Sequence, residues 1–303
     1  MSNSGYTIRN YQPSDFDKYV RLNIEAEKLE PGGRTVSPQG LTENLNRPNH
    51  SPEQDLFVVE TGGDVIGYLD ITPELTIGRV VLDGWIHPEH RRKGLATKLL
   101  GYATRRAEEL GATVAHVNIR DDNLAARAML SKLGFQRVRR YLELRLDMDE
   151  ARWRHIDPAA LGCRHMEPGE EDKLTRIQNR AFAGTWGFNP NTVEEIIYKI
   201  RVSGRSPQDI VLACDGDEVV GYCWTEITGE RTGRVFMIGA DPDYRGKGVG
   251  KKVLLAGLAH LGGKGVRIAD LTVDSENQTA CTLYWSTGFN VQMGSWWYEK
   301  ALD

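Results

Sequence analysis

Apolar and polar positions alternate in short runs through much of the chain, and between these runs the apolar period lengthens to between three and four. Residues 6–10 predict a short strand. "DLFVVE" and "VIGYLDI" predict a hairpin around "TGGD", whose glycines suit a turn with positive φ, and "GRVVLDGWI" a further strand. "PSDFDKYVRLNIEAEKL" carries an acidic first turn and sets Phe16, Val20 and Ile24 at helical spacing. A second helix follows in "HPEHRRKGLATKLLGYATRRAEELG", where Leu95, Leu99, Leu100, Ala103, Ala107 and Leu110 form a stripe and Gly111 stops it. The strand "TVAHVNI", the helix "LAARAMLSKLG" and a closing strand complete the set. The class is α/β (α+β), with a mostly antiparallel central sheet flanked by helices.

The same succession occurs twice. "DLFVVETGGDVIGY" from Asp55 lies over "DIVLACDGDEVVGY" from Asp209, and at the same offset of 154 residues Arg91, Gly94, Asn123, Ala126, Gly134 and Phe135 fall on Arg245, Gly248, Asn277, Ala280, Gly288 and Phe289. Nearer the start, Arg9, Pro13, Asp17 and Lys18 match Arg164, Pro168, Asp172 and Lys173 at an offset of 155. Copies of this size are domains, not the short units of a solenoid. The expected organisation is a first domain over 1–150, a linker over 151–160 inside "DMDEARWRHIDPAAL", and a second domain over 161–303.

Composition narrows the partners. A formal charge of −4 argues against a polyanion, so no nucleic-acid partner is expected. "MSNSGYTIRN" lacks the pattern of a signal peptide, and no window approaches the apolar length of a membrane span, so the expected location is cytoplasmic, without a membrane partner. The four cysteines, Cys163, Cys214, Cys223 and Cys281, all lie in the second half without CxxC spacing, which fits packed thiols and predicts neither a disulfide frame nor a metal site.

Chemistry enters with "YRGKGVG", Tyr244 to Gly250, and its partial copy "HRRKGLA", His90 to Ala96. A loop turning from a strand into a helix presents unpaired backbone N–H groups and the positive helix end, which together attract an anion, and missing Cβ atoms let a phosphate approach. Neither the dinucleotide nor the P-loop glycine spacing is met. A single such loop could equally be a glycine-rich turn with basic surface residues. Here it recurs as Pro-x-x-Arg-x-x-Gly-x-Gly/Ala after a strand, followed each time by Asn-x-x-Ala and Gly-Phe.

On "HPEHRRKGLA", "DPDYRGKGVG", "RDDNLAARAMLSKLGF" and "DSENQTACTLYWSTGF", the chain resembles the GNAT acyltransferase superfamily, duplicated in tandem. The resemblance implies that Arg245, Gly246, Lys247, Gly248, Val249 and Gly250 cradle the pyrophosphate of acetyl-CoA in the second half, with Met237, Ile238 and Ala240 beside the pantetheine arm. It implies the same cradle in the first half for Arg91, Arg92, Lys93, Gly94, Leu95 and Ala96. Asn277 falls where the family often contacts the cofactor, and is equally placed to cap the next helix.

The resemblance also implies a catalytic role for Tyr284, where the family often has a tyrosine that protonates the departing thiolate; its counterpart is Leu130, which has no proton to give. One active and one degenerate half is similar to the organisation of the mycothiol synthase group, as is "NRAFAG" at Asn179 to Gly184. Where that group would place a glutamate on the strand entering the cofactor loop, this chain has Arg234. Amide formation also needs a base for the incoming ammonium, and Glu226 in "GYCWTEI" is the first candidate; alternation puts it on the face of Trp224, toward a substrate groove or toward solvent. Trp186, Phe188, Tyr198 and "SWWY" at Ser295 to Tyr298 are candidate aromatic walls for the acceptor. The function expected is N-acetyl transfer from acetyl-CoA to a primary amine of a small molecule. The alternatives are a non-catalytic acyl-CoA-binding regulatory protein and a protein or peptide N-acetyltransferase.

Overall fold

The computed structural model describes residues 5–31, 36–148, 156–202 and 204–302. The chain forms two compact units, one made of Met1–Arg139 with Trp296–Asp303 and the other of Arg140–Ser295. In the first, the order is β1 (Thr7–Asn10), α1 (Phe16–Leu29), α2 (Pro38–Leu45), β2 (Leu56–Thr61), β3 (Asp64–Glu74), β4 (Arg79–Ile86), α3 (Leu95–Glu109), β5 (Val114–Arg120) and α4 (Leu124–Lys132), followed by β6 (Gln136–Asp147). The second repeats it as β7 (Cys163–His165), α5 (Glu171–Phe182), α6 (Val193–Arg201), β8 (Ile210–Asp215), β9 (Glu218–Ile227), β10 (Thr232–Ala240), α7 (Val249–Gly263), β11 (Ile268–Asp274), α8 (Gln278–Thr287) and β12 (Asn290–Ala301).

Strands β1 to β4 pair antiparallel in sequence order, as do β7 to β10. Each unit buries a core on both faces of its sheet. In the first, Leu95, Leu99, Ala103 and Ala107 of α3 cover one face with Leu130, while Tyr19 and Leu22 of α1 cover the other. In the second, Val253, Leu254 and Leu258 of α7 lie on one face, and Leu174, Ile177, Ile196 and Ile200 of α5 and α6 on the other. Among the described residues no helix is long and apolar enough to cross a membrane.

The units are not the contiguous halves read from the repeat. Residues Tyr141 to Asp147 of β6 pair with β11 in the second unit, and Trp296 onward joins the first, beside β5. The expected linker lies mostly outside the described residues. Paired polar groups match this exchange. In the first unit His116 Nε2 of β5 lies 2.8 Å from Glu299 Oε2 of β12, and in the second Arg145 Nε of β6 donates to Asp270 Oδ1 of β11 at 2.8 Å. His116 and Asp270 are repeat mates, as are Arg145 and Glu299. Keeping each closing strand with its own repeat would therefore set Glu299 against Asp270, a like-charge juxtaposition that disfavours the alternative. The exchange also places Trp296, Trp297 and Tyr298 in the first unit, where Tyr298 packs in the core and Trp297 lies under Arg79.

A second repeated pair ties each opening strand to its first helix. Arg9 of β1 grips Asp15 through both guanidinium nitrogens at 2.6 and 2.8 Å, and Arg164 of β7 grips Glu170 at 2.7 Å through each of two bonds. The Arg164 contact, foremost among several, pulls the Glu170 carboxyl down to about 2. A lowered folded value means the stabilisation is present above the unfolded value, about 4.3, and is lost as pH falls toward 2. We expect Glu170→Gln to lower stability at pH 7 by about 1–2 kcal/mol, discounted because Arg164 is partly open to solvent. Acid titration of unfolding should then show a shallower fall below pH 4 in the variant. Parallel curves for variant and parent would remove the pair from the stability of the fold.

Candidate active site

Strands β10 and β11 run parallel and pair only from Thr232 with Ile268 to Arg234 with Asp270. Beyond that point they part, and the register of β10 against β9 slips between Val235 and Met237, a bulge that leaves Phe236 unpaired. A cleft therefore opens along the edge of β10 occupied by Met237, Ile238 and Ala240, whose backbone groups on that side have no β11 partner. An extended ligand with amide groups can pair there as an added strand does.

At the mouth of this cleft β10 leads through a single turn, Pro242–Tyr244, into α7. Gly246 and Gly248 take φ of 77° and 79° and meet nothing within 4 Å of where a Cβ would sit. The N–H groups of the first turn of α7 have no carbonyl a turn behind them. Together these features fit the pyrophosphate of acetyl-CoA: donors aimed outward, open space, and the positive end of a 15-residue helix. Arg245 is exposed and makes no side-chain ion pair among the described residues, whereas the Lys247 ammonium lies over the Tyr244 ring at 4.3 Å. Asn277 caps α8 by accepting from the Ala280 N–H at 3.1 Å, so the capping role is realised.

Tyr284 sits in α8 with its ring 5.8 Å from that of Phe289 and 6% of its surface exposed. Burial raises its pKa, so the hydroxyl holds its proton at neutral pH. Leu283, its neighbour, lies 3.7 Å from the position of a Cβ on Gly250, which brings α8 against the first turn of α7.

Glu226 pairs directly across from Arg234 at the closed end of the cleft. Trp224 is fully buried on the α5 and α6 face, edge-on to Phe236 at 5.3 Å, so the two-residue alternation places Glu226 toward those helices also. Its Oε1 lies 2.7 Å from Arg205 Nη2. Burial raises the Glu226 pKa, and Arg205 and Arg234 oppose that rise. Arg234 itself donates to Thr272 Oγ1 at 2.5 Å. Trp186 meets Tyr141 at 6.2 Å and Phe188 stacks on Phe182 at 5.2 Å, both as packing partners; Tyr198 is half-buried on α6.

Two groups escaped the reading of the sequence. Arg205 comes from the loop after α6, where no periodicity marks it. Arg180, inside the noted "NRAFAG", donates to Asp241 at 2.7 and 3.0 Å and to Asp243 at 3.0 Å, tying α5 to the root of the glycine loop. Asn179 of the same motif pins Asn191 through two 2.9 Å bonds. The motif thus holds the loop in place.

The first unit departs from this plan in four ways. β4 runs against β3 without a register slip, and Leu130 stands in place of Tyr284. Arg92, not glycine, takes the left-handed conformation at φ 60°. The anchor of the loop is reversed, with the carboxylate on the helix: Glu25 Oε1 lies 3.3 Å from His87 Nε2, where the second unit has Arg180 and Asp241. His87, Glu89 and His90 bring ligand atoms within 4.8 Å of one another. The His87 ring is engaged, however: its Nδ1 accepts from the Glu89 N–H at 3.3 Å, which leaves the Nε2 proton for Glu25.

Comparison with known proteins agrees with this geometry. The acetyltransferase (GNAT) family model matches residues 22–135 and again 172–289. The chain is 32% identical over 300 residues to a mycothiol acetyltransferase of Amycolatopsis mediterranei (strain U-32), covering 95% of this chain and 96% of that one. It is 31% identical to a mycothiol acetyltransferase of Actinosynnema mirum, covering 92% and 93%. In fold it is similar to a GCN5-related N-acetyltransferase from Sphaerobacter thermophilus, with a TM-score of 0.75 at 21% identity over 100% of this chain and 97% of that one. The duplicated strand-loop-helix units and these full-length matches make the chain a member of the acetyltransferase (GNAT) family, an acyl-CoA-dependent N-acetyltransferase that carries the acetyl group from acetyl-CoA to an amine.

Proposed function

We propose that the acceptor is the primary amine of a small molecule, attacked directly onto the thioester, and that turnover resides in the second unit. The observation that carries this reading is the difference between matched clefts: a bulged β10 with Tyr284 in one, an unbulged β4 with Leu130 in the other. In the second unit the loop Arg245 to Gly250 holds the pyrophosphate, and the edge of β10 at Met237, Ile238 and Ala240 aligns the pantetheine arm. Tyr284, kept protonated by burial, donates to the departing sulfur. Glu226 takes the proton of the incoming ammonium, directly or through water; burial raises its pKa, and Arg205 and Arg234 oppose that rise. Where a glutamate was expected on β10 the chain has Arg234, and the carboxylate instead stands directly opposite on β9.

The Gln178 amide nitrogen, the Trp224 indole and the Tyr222 hydroxyl are buried without hydrogen-bond partners among the described residues, on the α5 side of β9. Unpaired buried donors are costly, and an oxygen-rich acceptor would satisfy them. Two relatives carry the name mycothiol acetyltransferase, so a mycothiol-related amine is the first acceptor to offer, beside amino sugars, polyamines, amino acids and peptides. Free thiol release with a small amine and none with peptides is expected; the reverse would overturn the acceptor class. With that acceptor the rate should rise with pH as Glu226 loses its proton, and because its pKa is raised this limb lies above the ordinary carboxylate range. Glu226→Gln should remove the limb. An unaltered limb would reassign the base.

A further inference from the structure

The first unit holds a cavity of about 800 Å³ that the proposed chemistry leaves without a task. The volume lies within the range of small-molecule sites, roughly 300–1,000 Å³. Its mouth is polar, formed by His90, Arg91, Arg92 and the start of α3. Its depth is apolar: Leu69, Leu82, Leu99, Val117, Met129 and Leu130 line it where β4 and β5, paired only from Arg79 to Val81, have parted. Leu130 occupies the position of Tyr284. The end of the cleft that meets the reacting sulfur in the second unit is here a hydrocarbon wall.

The mouth also grips anions less freely than its counterpart. Arg91 is held by Glu30 through bonds of 2.7 and 2.5 Å, and Glu30 accepts a further bond from the Trp85 indole at 2.7 Å. Arg245 in the second unit has no such carboxylate among the described residues. A diphosphate entering the first unit must compete with Glu30 for Arg91, so a ligand that binds there draws its affinity from the apolar depth.

We propose that this cavity is a binding site for acyl-CoA thioesters whose acyl chain is longer than acetyl, held without transfer. The diphosphate lies at Arg92 and the N–H groups of Gly94 to Ala96, and the chain extends past Leu82 and Leu130. This assignment rests on the reading that the first loop still accepts CoA while turnover belongs to the second unit. Each buried methylene is worth about fourfold in affinity, so hexanoyl-CoA should bind roughly 250-fold more tightly than acetyl-CoA if its four added methylenes are buried.

Calorimetry on the full chain carrying Gly248→Glu, which silences the second site, tests this with acetyl-, hexanoyl- and decanoyl-CoA. The expected result is one site per chain whose affinity climbs with chain length, and a climb erased by Met129→Trp, which fills the depth. Should Met129→Trp fail to fold, Val117→Phe narrows the same space from β5. Equal affinity for acetyl- and hexanoyl-CoA, or a climb that survives both fillings, would overturn the chain-length assignment alone. Absence of binding at every chain length would overturn the retained CoA loop, and with it the proposal, while leaving turnover in the second unit untouched.

Discussion

Replacing Tyr284 by phenylalanine is expected to slow acetyl transfer by about a hundredfold while folding and acetyl-CoA affinity barely move. The ring stays against Phe289 and only the hydroxyl goes. General acids contribute about 10²–10⁴ in rate, and a thiolate leaves tolerably without help, so the lower end applies. A tyrosine hydroxyl is protonated at neutral pH and burial raises its pKa further, which suits the proposed role of Tyr284 as a donor. The matched change in the first unit, Leu130→Ala, should instead cost about 2–5 kcal/mol of stability, toward the lower end because the cavity already borders it. It should leave the chemical step unchanged. Single-turnover transfer measured on folded protein separates the two cases: full activity in Tyr284→Phe removes the acid, and a slowed step in folded Leu130→Ala removes the division of labour.

Gly248→Glu is expected to abolish acetyl-CoA binding in the second unit, with a loss of at least about a hundredfold. At φ 79° any side chain is strained, by roughly 1–3 kcal/mol, and a carboxylate at the helix N-terminus repels the phosphates it should receive. Nothing lies within 4 Å of the new Cβ, so the protein should still fold. Calorimetry at the second site showing unchanged affinity would overturn the cradle.

Much of this was legible in the sequence because the relevant signals are local. Period-two runs gave the strands of each unit, the stripe from Leu95 to Ala107 gave α3, and the glycines of "TGGD" with Gly246 and Gly248 of "YRGKGVG" fell where φ is positive. Register between the repeats was enough to set Tyr284 over Leu130. The exchange of β6 and β12 was hidden, because either strand presents the same alternation to β5 or to β11, and only the pairing of Arg145 with Asp270 and His116 with Glu299 tells them apart. Trp296 to Tyr298, part of the second repeat by sequence, fall in the first unit for this reason. Arg205 was hidden for a different reason: its contact with Glu226 joins a loop to a strand, and no spacing encodes it. The bulge at Phe236 leaves no mark in composition either, although it decides which backbone groups face the cleft.

The central claim, that one unit transfers and the other only binds, is tested most directly by single-turnover acetyl transfer in two matched glycine variants, Gly248→Glu and Gly94→Glu. Both glycines are the left-handed N-caps of their helices, at φ 79° and 76°, so the two changes impose the same backbone strain and the same charge. The account predicts that Gly248→Glu loses transfer at acetyl-CoA concentrations that saturate the parent, while Gly94→Glu transfers at the parental rate. Transfer lost in Gly94→Glu and retained in Gly248→Glu would contradict it.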